Sequence, residues 1–256
     1  MDGSSFQLLP NGGVFRIDRA SKLNALSKSV FDDLAACLDS LEARKSRYLV
    51  ITGSGERAFC AGTDVAEMGE MSDDDQLEKA AFSRQLMLRL SRSPVLSVAA
   101  INGLAFGGGL ELAMACTLRV SVPGATFSLP EIKLGLVPAY GGTQFLPAII
   151  GASRALELML TGRTFGAEEA LALGLLHRVT GAQESVVDAG VAFAEEVTRF
   201  SREAIAAIRS CVDAAGSIVS ETGLAVEDHN VRSVFVTANA KEGIASFLEK
   251  REPRFT

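Results

Sequence analysis

Three short apolar runs constrain the fold most: Tyr48-Leu49-Val50-Ile51-Thr52, Val95 to Ile101, and Leu118 to Val122. Each is short for a helix and too continuous for a strand with one wet face. Each therefore reads as a buried strand. Elsewhere the apolar spacing is helical. Val30, Leu34, Cys37, Leu38 and Leu41 recur on one face, which predicts an amphipathic helix over 28–43. Helices are also expected over 80–91, from Gly107-Gly108-Gly109 through Cys116, and over 154–161, 167–173, 184–199, 202–215, 221–236 and 241–250. Phe6 to Pro10 and Val14 to Asp18 flank Asn11-Gly12-Gly13 as the arms of a hairpin. Ser72 to Lys79 is acidic and polar, and reads as a surface loop or the start of a helix. Strand and helix alternate early and helices dominate late. That pattern predicts an α/β core over 1–195 and a helical region over 196–256. No Pro/Gly/Ser linker marks the change, so the second part is not expected to be independent.

The chain has 256 residues, 48% of them hydrophobic, enough for one sizeable core. Its formal charge is -6, with lysine and arginine dispersed. Such a chain has no long-range attraction for nucleic acid or anionic membranes, and neither is expected as a partner. Cys37, Cys60, Cys116 and Cys211 are widely spaced and fit no CxxC or zinc pattern. They are read as reduced core residues of a cytoplasmic protein, with no metal site. Met1 to Ser5 shows no basic patch leading into an apolar run, so no secretory leader is expected. The stretch Ser93 to Leu110 is too short and too glycine-rich for a good membrane span.

Gly53-Ser54-Gly55-Glu56-Arg57-Ala58 fits G-x-G-x-x-[GA] after a buried strand, with Asp73 to Asp75 about twenty residues further on. The context does not suit a dinucleotide site. The strand is not N-terminal, Phe59-Cys60-Ala61-Gly62 interrupts the helix that should follow, and the acidic residues lie in a polar run. A glycine-rich turn after a strand is the expectation.

Gly107-Gly108-Gly109 follows a buried strand and opens a helix. The first amides of a helix lack internal partners, and the helix dipole places positive charge there. Glycine admits close approach, so a carbonyl oxygen gaining charge can rest against these amides. Glu111 falls in the first turn of the same helix. It is either a carboxylate that merely favours the dipole or a group at the mouth of a site. Glu131, among apolar residues from Phe127 to Gly135, is paired with Lys133 or Arg119, or starts a helix after Pro130, or is a general acid–base group. The small residues Ala58 to Val65 offer another amide to the same pocket. Cys60 has no nearby base in sequence and is not expected to be a nucleophile.

Together these segments resemble the crotonase superfamily, enoyl-CoA hydratases most closely. The matching runs include Lys22-Leu23-Asn24-Ala25-Leu26, Ala58 to Val65, Asn102 to Ala113, Phe127 to Gly135 and Gly141-Gly142-Thr143-Gln144. Leu160-Thr161-Gly162-Arg163, Ala170 to Leu175 and Ser246 to Phe255 complete the series in order along nearly the whole chain. The resemblance implies a spiral of ββα units with a C-terminal helical trimerisation region, assembled as a homotrimer or a dimer of trimers. It implies oxyanion-hole amides at Thr63 and Gly108 and catalytic carboxylates at Glu111 and Glu131. It places the coenzyme A arm of an acyl-CoA thioester along Ser21, Lys22, Leu23, Ala61, Asp64, Val65 and Ala66. Lys250 is expected at the phosphates and Tyr140 near the acyl pocket. No cofactor is implied beyond the coenzyme A of the substrate.

Three positions depart from the family pattern. Thr63 stands where alanine is commoner, Pro138-Ala139-Tyr140 replaces a small glycine-containing run, and Phe145 stands where arginine is common. The reaction implied is addition of water to a 2-enoyl-CoA. Glu111 serves as base on the water and Glu131 as proton donor to C2, giving a (3S)-3-hydroxyacyl-CoA. The alternatives are a Δ3,Δ2-enoyl-CoA isomerase, another crotonase-family thioester enzyme, or an RNA-binding relative.

Overall fold

The computed structural model describes residues 3–214 and 221–254. The chain opens with β1 (Ser4–Leu8), β2 (Gly12–Ile17), α1 (Lys28–Ala43), β3 (Tyr48–Gly53), β4 (Ala58–Cys60), α2 (Val65–Glu70) and α3 (Asp73–Arg92). It continues through β5 (Leu96–Ile101), β6 (Leu104–Phe106), α4 (Gly108–Ala115), β7 (Leu118–Ser121), β8 (Thr126–Ser128) and a 3-10 turn at Glu131–Leu134. Then come α5 (Gly142–Ile150), α6 (Ala152–Thr161), β9 (Phe165–Gly166), α7 (Ala167–Ala172), β10 (Arg178–Val179), α8 (Val186–Thr198), α9 (Arg202–Ala214), α10 (Glu221–Phe235) and α11 (Ala238–Leu248).

Two sheets run side by side along the chain. The six-stranded sheet has the order β1-β2-β3-β5-β7-β10, parallel except for the β1–β2 hairpin. The four-stranded sheet has the order β4-β6-β8-β9, with β9 antiparallel. Consecutive strands thus alternate between the sheets: β3 then β4, β5 then β6, β7 then β8. A helical segment follows each pair, which makes the architecture a spiral of ββα turns. β3 and β5 are buried along their whole length. Alternate residues serve different cores. Tyr48, Val50, Val98 and Ala100 pack beneath α8, and Leu49, Ile51, Ala99 and Ile101 join the main core. This explains why these runs show no polar alternation.

α1 begins where Ser27 accepts a hydrogen bond from the Val30 N–H, and it buries Val30, Phe31, Leu34, Cys37, Leu38 and Leu41. Each such large side chain contributes roughly 1.5–3 kcal/mol by burial. The acidic stretch after Ser72 is the start of α3, not a loop. Ser72 caps the helix, Asp73 to Asp75 occupy its positive end, and Arg89 and Arg92 its negative end.

The turn between β3 and β4 is held by two buried asparagines. Asn24 Nδ2 donates to Ala58 O at 2.7 Å, and Asn102 Nδ2 donates to Gly55 O at 2.7 Å while its Oδ1 accepts from Gly53 N–H at 3.1 Å. This glycine-rich segment is a turn feeding a strand, as expected. At the far end of α4, the buried Arg119 donates to the carbonyls of Cys116 at 2.7 Å and Met114 at 3.4 Å, and to Leu175 O at 2.6 Å. It satisfies carbonyls that the helix end leaves open.

Cys37, Cys60 and Cys116 are free and buried; the side chain of Cys211 lies outside the described residues. Among the described residues no helix is long and apolar enough to cross a membrane, and no cluster of three or more His, Cys, Asp or Glu is placed to hold a metal ion.

Candidate active site

The N-terminus of α4 is built by crowding. Gly107, at φ 49°, caps the helix and donates its N–H to Ser128 O at 2.9 Å. A side chain at Gly109 would place its Cβ 2.1 Å from Cys60 O, so β4 and α4 touch backbone to backbone. Gly62 lies near the same turn: its Cβ would stand 3.0 Å from Phe106 O and 3.4 Å from the Gly108 nitrogen. The loop carrying Thr63 is pinned by Leu26, whose N–H donates to Gly62 O at 2.7 Å and whose carbonyl accepts from Asp64 N–H at 3.1 Å. That pairing turns the Thr63 N–H away from Leu26. Among the described residues neither the Thr63 N–H nor the Gly108 N–H has a protein acceptor. Two unspent amides thus meet beside a cavity of about 320 Å³, whose lining includes Ala61, Thr63, Val65, Gly108, Glu111, Glu131 and Tyr140.

Glu111 is 1% exposed. Its Oε1 accepts from Tyr140 N–H at 2.8 Å and from Gly142 N–H at 2.7 Å. The carboxylate is therefore fixed by the loop entering α5 and is not merely resting in the helix dipole. Glycine at 142 keeps that approach open, since a Cβ there would meet Glu111 Oε1 at 2.9 Å. Glu131 starts the 3-10 turn after Pro130. Its Oε1 lies 3.0 Å from where a Gly107 Cβ would stand, so Gly107 is glycine both for its φ and for this carboxylate. The expected alternative partner Arg119 is spent on carbonyls. Both glutamates thus face one cavity from different elements.

Asp64 is buried and caps α2 by accepting from Glu67 N–H. Its Oδ2 also accepts from Arg19 at 2.7 Å and Lys22 at 3.0 Å. Burial alone would raise its pKa; the Arg19 and Lys22 bonds outweigh this and bring it down to about 2. The Asp64 carboxylate is an anchor for the Thr63 loop. Ser21, Lys22, Leu23, Asp64, Ala66 and Lys250 are absent from the cavity lining. Phe145 is also outside it: it is buried in the core and packs against Gly141, whose Cβ would approach Phe145 Cε2 to 2.6 Å. Burial pushes the Cys60 thiol up to about 12, consistent with an inert core residue.

The apolar part of the cavity lining was not legible in the sequence: it includes Met68, Met71 and Leu77, and Val231, Val234 and Phe235 of α10. Lys79, 7% exposed, also reaches this wall and pairs with Glu67. These residues carry no motif, and chain distance separates them. The amphipathic spacing of α10 was their one sequence signal.

The family model described as enoyl-CoA hydratase/isomerase matches residues 12–256. A probable enoyl-CoA hydratase of Bacillus subtilis is 37% identical over 91% of this chain and 90% of its own length. The mitochondrial enoyl-CoA hydratase of Pongo abelii is 34% identical over 95% of this chain and 83% of its own. The crystal structure of an enoyl-CoA hydratase from Bacillus anthracis superposes with a TM-score of 0.80 at 32% identity, covering 99% of each chain.

Proposed function

This chain belongs to the enoyl-CoA hydratase/isomerase family and is an enzyme with enoyl-CoA hydratase function; from that premise we propose how its own residues carry the reaction. The thioester oxygen of a 2-enoyl-CoA rests against the N–H groups of Thr63 and Gly108. Each such preorganised donor contributes roughly 3–4 kcal/mol to the transition state. Glu111 takes a proton from a water whose oxygen bonds to C3. The negative charge passes through C2 to the thioester oxygen, and Glu131 delivers a proton to C2. A second proton exchange between the carboxyl groups and solvent restores the starting state, and the sum is one water added across one double bond, giving a (3S)-3-hydroxyacyl-CoA. Carboxyl groups and amides suffice for each of these steps, so no cofactor is invoked.

The observation that carries this reading is the meeting of two acceptor-free amides and two glutamates at one cavity. The apolar part of the lining receives the acyl chain. The coenzyme A arm passes Ser21 to Leu23 and Ala61 to Ala66, with Lys250 at the phosphates. Exposed apolar side chains on α6 and α11 and in the turn after α8, among them Leu156, Leu160, Phe247 and Phe200, support a trimer or a dimer of trimers.

Crotonyl-CoA hydration by the native protein, Glu111→Gln and Glu131→Gln tests the assignment. Each variant is expected to lose at least roughly 10²-fold in kcat. Near-native rates in both variants would overturn it.

A further inference from the structure

Thr63 and Tyr140, two of the positions that depart from the family pattern, meet in space. Their hydroxyls lie 2.6 Å apart across a sequence separation of 77 residues. Two hydroxyls bring two protons, and the bond between them uses one. Neither Thr63 Oγ1 nor Tyr140 OH has another partner among the described residues. Whichever hydroxyl donates, one O–H proton remains unspent.

Its place is set by the groups around it. Thr63 and Tyr140 both line the cavity. Thr63 carries one of the two acceptor-free amides. The Tyr140 ring covers the residue that carries the other, since a Cβ on Gly108 would stand 2.7 Å from Tyr140 Cε2. The ring is held edge-on to Phe31 at a centroid distance of 5.4 Å, and its own N–H is fixed on Glu111. Burial pushes the phenol above its ordinary range, so it keeps its proton.

For packing alone, valine and phenylalanine of the same shape would serve equally well, because replacing both partners of a buried hydrogen bond is nearly neutral. The hydroxyl pair gains over them when a ligand brings an acceptor to the spare proton. We propose that the Thr63–Tyr140 hydroxyl pair is a third hydrogen-bond donor to the thioester oxygen of the substrate, beside the amides of Thr63 and Gly108. This rests on the assignment of those amides as the oxyanion hole.

The test compares native protein with Tyr140→Phe, Thr63→Val, the double variant and Thr63→Ser, with Glu111→Gln as a reference. Hydration kcat and KM are measured together with the thermal midpoint. The variant lacking the substrate-facing hydroxyl is expected to lose roughly tenfold or more in kcat, with KM changed by less than about twofold. The variant lacking the orienting hydroxyl loses less. The double variant falls no more than about threefold below the worse single one, because both remove the same donor. Thr63→Ser, which keeps the hydroxyl, is expected to retain more of the native kcat than Thr63→Val does. An active native protein with native kcat in both Tyr140→Phe and Thr63→Val overturns the proposal, even where the thermal midpoint drops, since that outcome describes a packing contact. A native protein that hydrates nothing, with Glu111→Gln no different, overturns the underlying reading instead.

Discussion

At the Gly108 end of the cavity, main-chain groups do the work: two N–H donors, a glutamate fixed by two further N–H groups, and glycines whose missing side chains admit a carbonyl or a carboxylate. Elsewhere in the lining, side chains of Met68, Met71, Leu77, Val231, Val234 and Phe235 form the wall. The first region leaves almost no room for substitution because its contacts are backbone to backbone. The second is a packing problem with many solutions, since apolar groups of similar volume exchange at low cost. On the proposed reading, chemistry is written in the rigid region and substrate size in the adaptable one.

The contrast is broken most directly at Gly109. Gly109→Ala places a methyl 2.1 Å from Cys60 O, so β4 and α4 must part and the amide pair separates with them. The expected result is a loss of roughly 10²-fold or more in kcat, with a destabilisation of about 1–3 kcal/mol from overpacking. Steady-state kinetics and urea unfolding read the two effects. A well-folded, fully active variant would show that the rigid end is less rigid than its geometry requires.

Asp64→Asn sharpens the comparison within the same end. The native carboxyl titrates near 2, below its ordinary value of 3.8. A folded pKa below the unfolded one means stabilisation that is fully present above the unfolded value and lost as pH falls through the folded one. The variant is expected to lose about 1–2 kcal/mol at pH 7. Its stability should also fall less steeply than that of the native protein between pH 5 and pH 2. Urea midpoints across that range check the sign: parallel curves for the two proteins would remove Asp64 as the anchor of the Thr63 loop.

The smallest effect belongs to the other region. Phe235→Leu opens the α10 wall, and a change of one methylene in an apolar pocket shifts discrimination by about tenfold or more. The ratio of kcat/KM for longer over shorter enoyl-CoA substrates should rise by that factor, with crotonyl-CoA little affected. An equal fall for every chain length would mean that α10 supports the reacting end instead of the acyl chain.

The same contrast decides what could be read in the sequence. The long buried strands and α1 were legible because their patterns extend over five residues or more, and the observed 28–43 helix has the expected bounds. The second sheet was not. β4, β6 and β8 have three residues each, too few to display a period. α5 was visible only as its opening Gly141-Gly142-Thr143-Gln144 motif, with Pro147 inside it masking the helix. At the site, Glu111 and Glu131 stood out as carboxylates in apolar surroundings beside glycines. The bond between Thr63 and Tyr140 did not, since each looked like an isolated departure until the spiral brought them together. The role of Asp64 was hidden for the same reason: its cation Arg19 lies 45 positions earlier in the chain.

Gly108 and Glu111 share the first turn of α4, while Glu131 sits on a separate 3-10 turn. On the proposed mechanism, the donor Gly108 and the base Glu111 on one turn travel as a single body, so thermal drift of the helix carries both and leaves their spacing unchanged. Glu131 is carried by a different element. On warming toward the melting range, the step delivering the proton to C2 should lose its alignment before the step activating water, and deuterium incorporation at C2 is where that early failure would first register.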